Sequence, residues 1–204
     1  MTKEQEIKDN LNSYKDRETI NNSIFLCDPK GSLDESFNSK KYIFHVDMSG
    51  RFYRNENIGI AIFCAKTKMH RGCAIKKSLI LRLKKDFFKG NSYNDSAKLY
   101  SICIFILVED IQDKINSLII CNDEDFTIVK KMLNCLLSYS IEIINITEFR
   151  KRMGRNLGSL ADNYARVYRK RGLKPNHLKG KKLNTIQVNF NIIKKHWEEL
   201  ENIR

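Results

Sequence analysis

The sequence predicts an α/β fold in which strands and helices follow in the order β-β-β-α-β-α-β-α. Three observations carry this expectation. Aromatic and β-branched runs at 42–48, 58–66 and 73–83 are separated by connections too short for a crossover helix. Segments of helical length or period fill 96–112, 125–139 and 155–172. Between these helices lie two further apolar runs of strand length, at 115–123 and 141–146.

Residues 1 to 40 are polar and rich in Asn, Lys and Asp, and read as an N-terminal extension, helical over 4–16. SIFLC at 23–27 is its one apolar island, and Pro29 and Gly31 punctuate it before the composition shifts. YIFHVDM (42–48) is the first strand, IGIAIFCAK (58–66) the second and CAIKKSLILRL (73–83) the third. Gly50 with polar neighbours fills the first connection and TKMHRG (67–72) the second, both short enough for an antiparallel meander. Gly90, Asn91 and Asn94 mark a loop before SAKLYSICIFILVEDIQ (96–112), a largely buried helix. INSLIICND (115–123) is the fourth strand. DFTIVKKMLNCLLSY (125–139) has apolar residues at 126, 129, 133, 136 and 137, a helical period, with Asp125 placed to cap it. IEIINI (141–146) is the fifth strand, and RNLGSLADNYARVYRKRG (155–172) a helix stopped by Gly172.

These elements define a domain over 41–172. Beyond it, LKPNHLKGKKLNT (173–185) is basic and punctuated by Pro and Gly, and reads as a linker or arm within a C-terminal unit of 173–204. In the last segment Ile186, Phe190, Ile193, Trp197 and Leu200 form one helical apolar stripe. That stripe is expected to pack on the core, the alternative being a homodimer contact with a second copy.

Composition narrows the class. With 42% hydrophobic residues and 10% aromatics the chain can build a core. No apolar run approaches the roughly 20 residues that span a bilayer, and the first residues hold no signal-peptide core. A cytoplasmic protein without a membrane partner is expected. Lys and Arg number 37 against 24 acids, a formal charge of +13, which favours a polyanionic partner such as nucleic acid. The six cysteines lie far apart with no C-x-x-C pair, which argues against zinc and for reduced cysteines used as small hydrophobes.

Two strands end on acids. In FHVDMSGRF (44–52), Asp47 is followed by Ser49 and Gly50, ordinary turn residues that give it a purely structural explanation. The alternative is a metal ligand presented by a rigid strand end. Asp123 ends the fourth strand in IICNDED, with Glu124 next to it in reserve, and Asp162 lies within LADNYA of the late helix. His45 and Ser49 share a strand face with Asp47 by the period of two, and His45 reads as a satisfied, partly buried histidine.

The element order, with VDMSG in the first strand and LADNYA in the late helix, resembles the ribonuclease H-like superfamily over roughly 42–172. Within it, the chain is similar to an uncharacterised branch with a D-x-S-G first strand and a late Ala-Asp helix followed by basic residues. The resemblance implies a mixed five-stranded sheet flanked by helices, and a nuclease that hydrolyses phosphodiester bonds with two metal ions. It implies Asp47, Asp123 and Asp162 as catalytic and metal-binding carboxylates, with Mg²⁺ or Mn²⁺ as cofactor. Two such ions about 3.5–4 Å apart activate water and stabilise the leaving oxygen. Gly158 and Ala165, four before and three after Asp162, would let the late helix approach the sheet closely.

The pattern breaks in the first helix. Where the family usually carries a Glu, the alignment puts Lys98, a cation that would repel a metal. Asp95 could replace the missing ligand or simply cap the helix, while Glu109 lies three turns away. The sequence does not distinguish DNA, RNA, hybrid or branched substrates. Arg166, Arg169, Lys170, Arg171, Lys174, Lys179, Lys181 and Lys182 are expected to grip phosphates, with Tyr164 and Tyr168 available for base stacking unless they are core. Two other functions stay open: a catalytically degenerate ribonuclease H-like module that binds nucleic acid, and a protein-interaction module using the Trp197 helix.

Overall fold

The computed structural model describes residues 41–90, 92–153, 159–171 and 183–202. Its five strands are β1 (Tyr42–Ser49), β2 (Ile58–Cys64), β3 (Met69–Ile75), β4 (Ile115–Ile120) and β5 (Glu142–Asn145). They form one mixed sheet ordered β3-β2-β1-β4-β5. The pairs β1–β2 and β2–β3 are antiparallel, while β4 runs parallel to β1 and β5 parallel to β4. Six α-helices among the described residues flank it: α1 (Lys77–Phe87), α2 (Ser92–Val108), α3 (Phe126–Leu136), α4 (Ile146–Met153), α5 (Asp162–Arg171) and α6 (Phe190–Asn202).

The expected α/β class and five-stranded count hold; the late helix expected over 155–172 begins at Asp162, and three further elements differ. The third strand is Met69–Ile75, and most of the expected 73–83 strand is helix α1. Ile80 and Leu83 lie one helical turn apart and are fully buried, so core packing of that face selects helix. Helix α2 starts earlier than expected and ends at Val108, continued by a 3-10 segment, Glu109–Lys114. Helix α4 was not expected. Its start is set by Asn145, whose side chain accepts from the Thr147 N–H at 2.7 Å. The expected cap on α3 is present: Asp125 accepts from Thr127 and Ile128 N–H at 2.9 and 3.2 Å.

Strand alternation sorts the side chains onto two faces. Phe44, Val46 and Met48 of β1 join Ile58, Ile60, Ile62 and Cys64 of β2 in the main core, which α2 fills with Leu99, Tyr100, Cys103 and Ile106. Ala61, on the other face of β2, packs with Ala165 and Tyr168 of α5. Asp47 pairs with Ala61 in the β1–β2 ladder, so it belongs to the α5 face. Helix α5 lies so close to the sheet that a Cβ on Gly59 would sit 2.2 Å from the Ala165 carbonyl oxygen. At Gly72 the Tyr168 ring fills the same space, 2.3 Å from a built Cβ. The small face expected around Ala165 is therefore met by glycines on the sheet; Gly158 lies outside the described residues.

The edge of the sheet is covered by the segment entering α6. Gly72 N–H donates to Asn184 O at 3.2 Å, and Ile186 N–H donates to Gly72 O at 2.8 Å. Helix α6 packs on the core, with Trp197 1% exposed and stacked on Phe87 and Phe88, ring centroids 5.3 and 5.9 Å away. Trp197 thus serves the interior, as expected for a stripe that packs on the core. The N-terminal extension and Lys174, Lys179, Lys181 and Lys182 lie outside the described residues.

Candidate metal centre

The ends of two adjacent parallel strands converge. The Cys121 N–H donates to Val46 O at 3.2 Å, extending the β1–β4 ladder by one residue and fixing the chain that leads to Asp123. One ligand atom each of Asp47, Cys121 and Asp123 lie within 4.8 Å of one another. Asp47, 7% exposed, accepts from the Met48 N–H at 2.8 Å through Oδ1 and from the Cys121 thiol at 3.4 Å through Oδ2. Asp123 Oδ2 accepts from the same Met48 N–H at 3.3 Å. A cation flanks the pair: Arg51 Nη1 lies 3.0 Å from Asp123 Oδ1.

Electrostatics follow from this crowding. Burial first, and then the Asp47 charge and hydrogen bond, push the Asp123 carboxyl up to about 7, against the pull of Arg51 and the Met48 N–H. Burial likewise pushes Glu124 up to about 7, again opposed by Arg51. The Cys121 thiol is raised by burial and by the Asp47 charge, so without a metal it stays protonated.

Two buried polar atoms in this neighbourhood lack a partner among the described residues, Tyr100 Oη and Glu124 Oε1. Tyr100 is a buried residue of α2, and the charges of Asp123, Asp47, Cys121 and Glu124 all act on its hydroxyl. Two carboxylates, a thiol and a reserve carboxylate offer a donor set that fits a divalent cation. The orphaned atoms are what such an ion and its waters would satisfy.

The remaining sequence candidates fall elsewhere. Asp162, the first residue of α5, is held by Arg166 through Nε–Oδ1 at 3.1 Å and Nη2–Oδ2 at 3.0 Å, and it is outside the group of three. Its backbone is close by, since Asp162 N–H reaches Ser159 O at 3.4 Å and the Ser159 side chain bonds the Cys121 sulfur. Asp95 accepts from the Lys89 N–H at 3.1 Å on the side of α2 that meets α6, so it is not a replacement ligand. Lys98 is on that side too, 3.8 Å from Glu201 Oε1 and 4.3 Å from the Trp197 ring centre. The alignment that set Lys98 over the metal is corrected: Lys98 faces Glu201 and Trp197, and the α2 side chain on which the acids' charges act is Tyr100.

His45 is buried, with Nδ1 unpartnered among the described residues and its ring edge-on to Phe149. Burial lowers it to about 4, so it is neutral rather than a satisfied donor pair. Of the basic residues, Arg169 pairs with Glu56, whose other oxygen accepts from the Arg51 N–H at 2.9 Å. Lys170 and Arg171 are exposed at the end of α5. Tyr168 is core and Tyr164 stacks between Phe63 and His70, so neither is free to stack on a base. Sequence reasoning missed Arg51, Tyr100 and Cys121. Arg51 had a signal, a cation one residue beyond the Asp47 turn; Tyr100 and Cys121 looked like ordinary core.

No helix among the described residues is long and apolar enough to cross a membrane. Scans against protein-family models, curated proteins and solved structures each found no match.

Proposed function

We propose that the protein is a metal-dependent nuclease of the ribonuclease H-like kind. The observation that carries this reading is the meeting of Asp47 and Asp123 at the ends of parallel neighbours β1 and β4, with orphaned polar atoms beside them. The element order on which the resemblance rests, three antiparallel strands followed by parallel ones, supports it. So does the formal charge of +13, which favours a nucleic-acid partner.

Asp47 and Asp123 would hold the ion, with Glu124 beside them. Asp162 would join by exchanging its Arg166 pair, since its helix starts one turn from the Ser159–Cys121 contact. The ion, Mg²⁺ or Mn²⁺ by resemblance, supplies a Lewis acid and an activated water. Arg51 is about a third exposed at the rim and is placed to bind a phosphate oxygen. Lys170 and Arg171 would hold the flanking backbone. The pairing of Asp162 with Arg166 favours a second reading, a degenerate module that binds nucleic acid without cutting it.

The test is cleavage of single-stranded and duplex DNA, RNA and a hybrid by the full chain with Mg²⁺ or Mn²⁺. Metal-dependent cleavage that vanishes in Asp123→Asn is expected. Salt-sensitive binding with no cleavage of any substrate would replace the proposal by the degenerate module.

A further inference from the structure

Resting on the reading that Asp47 and Asp123 hold a divalent cation, we infer that Cys121 is a third ligand and that the centre takes a divalent metal of the Zn²⁺ class in preference to Mg²⁺. The thiol is positioned by backbone: Cys121 N–H is bonded into the β1–β4 ladder, and its sulfur lies 3.4 Å from Asp47 Oδ2. Ligands about 2.0–2.3 Å from one ion lie at most about 4.6 Å apart. The group of Asp47, Cys121 and Asp123, within 4.8 Å, closes onto an ion with side-chain movements of about an ångström or less, since tetrahedral ligands at these bond lengths lie about 3.3–3.8 Å apart.

The setting separates Cys121 from the other cysteines. Cys64, Cys73 and Cys103 are buried among aliphatic side chains of the core, where a thiol is a small hydrophobe. Cys121 is instead half-buried between two carboxylates.

A second, independent observation points to a ligand here. The Tyr100 hydroxyl is completely buried, has no partner among the described residues, and feels the charges of Asp123, Asp47, Cys121 and Glu124. A buried hydroxyl left unpaired is destabilising. An ion with its bound water would give that hydroxyl an acceptor. Soft sulfur then sets the choice of ion: thiolate selects Zn²⁺-like metals, whereas Mg²⁺ demands oxygen donors and is reluctant to lose water. On coordination the Cys121 S–H bond breaks, its proton passes to solvent, and a metal–sulfur bond replaces the hydrogen bond to Asp47.

The experiment is titration of the reduced full chain with Co²⁺, followed by competition with Zn²⁺, Mn²⁺ and Mg²⁺. A near-ultraviolet thiolate-to-Co²⁺ charge-transfer band is expected, displaced by Zn²⁺ and resistant to a large excess of Mg²⁺. Cys121→Ser should erase the band and weaken Zn²⁺ binding by at least the 10–100-fold typical of changes one shell further out, with little effect on Mg²⁺. Cys121→Asp should shift preference toward Mg²⁺. Co²⁺ bound without the band, or an unchanged Zn²⁺-to-Mg²⁺ affinity ratio in Cys121→Ser, overturns the role of Cys121 while leaving the paired aspartates standing. Failure of the wild-type chain to bind any of the four ions overturns both readings.

Discussion

Arg51 grips Asp123 at two points, with Nη1 3.0 Å from the carboxylate Oδ1 and 2.6 Å from the residue's own carbonyl oxygen. The arginine therefore offsets the charge of the acid pair and competes with any cation for it. Arg51→Met should move two readouts in opposite directions. Without metal, at pH 8, the variant should lose about 1 kcal/mol, a figure discounted because Arg51 is partly solvated. Its affinity for a divalent ion should rise. Calorimetric titration beside thermal melts in EDTA checks both, and a fall in both would contradict the competition.

The acids predict a pH dependence with a definite sign. Asp123 and Glu124 are both raised to about 7, so between pH 4 and 7 the folded chain keeps protons that the unfolded chain releases. Their contribution to stability is present at low pH and is lost as pH climbs through 7. His45, lowered to about 4, works the other way, adding stability as pH rises from 4 to 6.5. Comparison with Asp123→Asn isolates the acid. In EDTA the variant should gain melting temperature relative to the parent as pH goes from 5 to 8, and a difference independent of pH would count against the raised carboxyl.

How much of this was legible depended on whether local chemistry or packing decided each position. The β1 strand, the Asp125 cap and the two strand-end acids follow from side-chain type and spacing. The 73–83 run was misread because its apolar residues are dense, and only burial of Ile80 and Leu83 on one turn separates helix from strand. Lys98 and Tyr100 are two residues apart, so an error of about 200° around α2 exchanged the α6 side for the acid side. Cys121 could not be distinguished in sequence from the core cysteines, since its neighbours come from β1.

Lys98 now carries a different prediction. Its ammonium lies against the Trp197 face and Glu201, far from any role at the acids. Lys98→Glu would set a carboxylate against Glu201 and the electron-rich ring, and should cost about 2 kcal/mol. Divalent-ion affinity should not change. A change in affinity without a loss of stability would restore Lys98 to the centre.

Gly59 tests how tightly α5 is seated. A Cβ there meets the Ala165 carbonyl at 2.2 Å and the Arg169 nitrogen at 2.3 Å, both backbone atoms that cannot rotate away. Gly59→Ala should cost about 3 kcal/mol, at the upper end for overpacking, because the whole helix must lift. Chemical denaturation measures it, and a cost below about 1 kcal/mol would mean that α5 is free to shift.

The central claim is that Asp47 and Asp123 together hold a divalent cation, and titration of Mn²⁺ into the parent chain and Asp47→Asn tests it most directly. Asn keeps the volume of the side chain and removes its charge, and β1 and its ladder should survive, as circular dichroism can verify. The account predicts saturable Mn²⁺ binding by the parent and its loss in the folded variant. Unchanged Mn²⁺ affinity in folded Asp47→Asn would contradict the account.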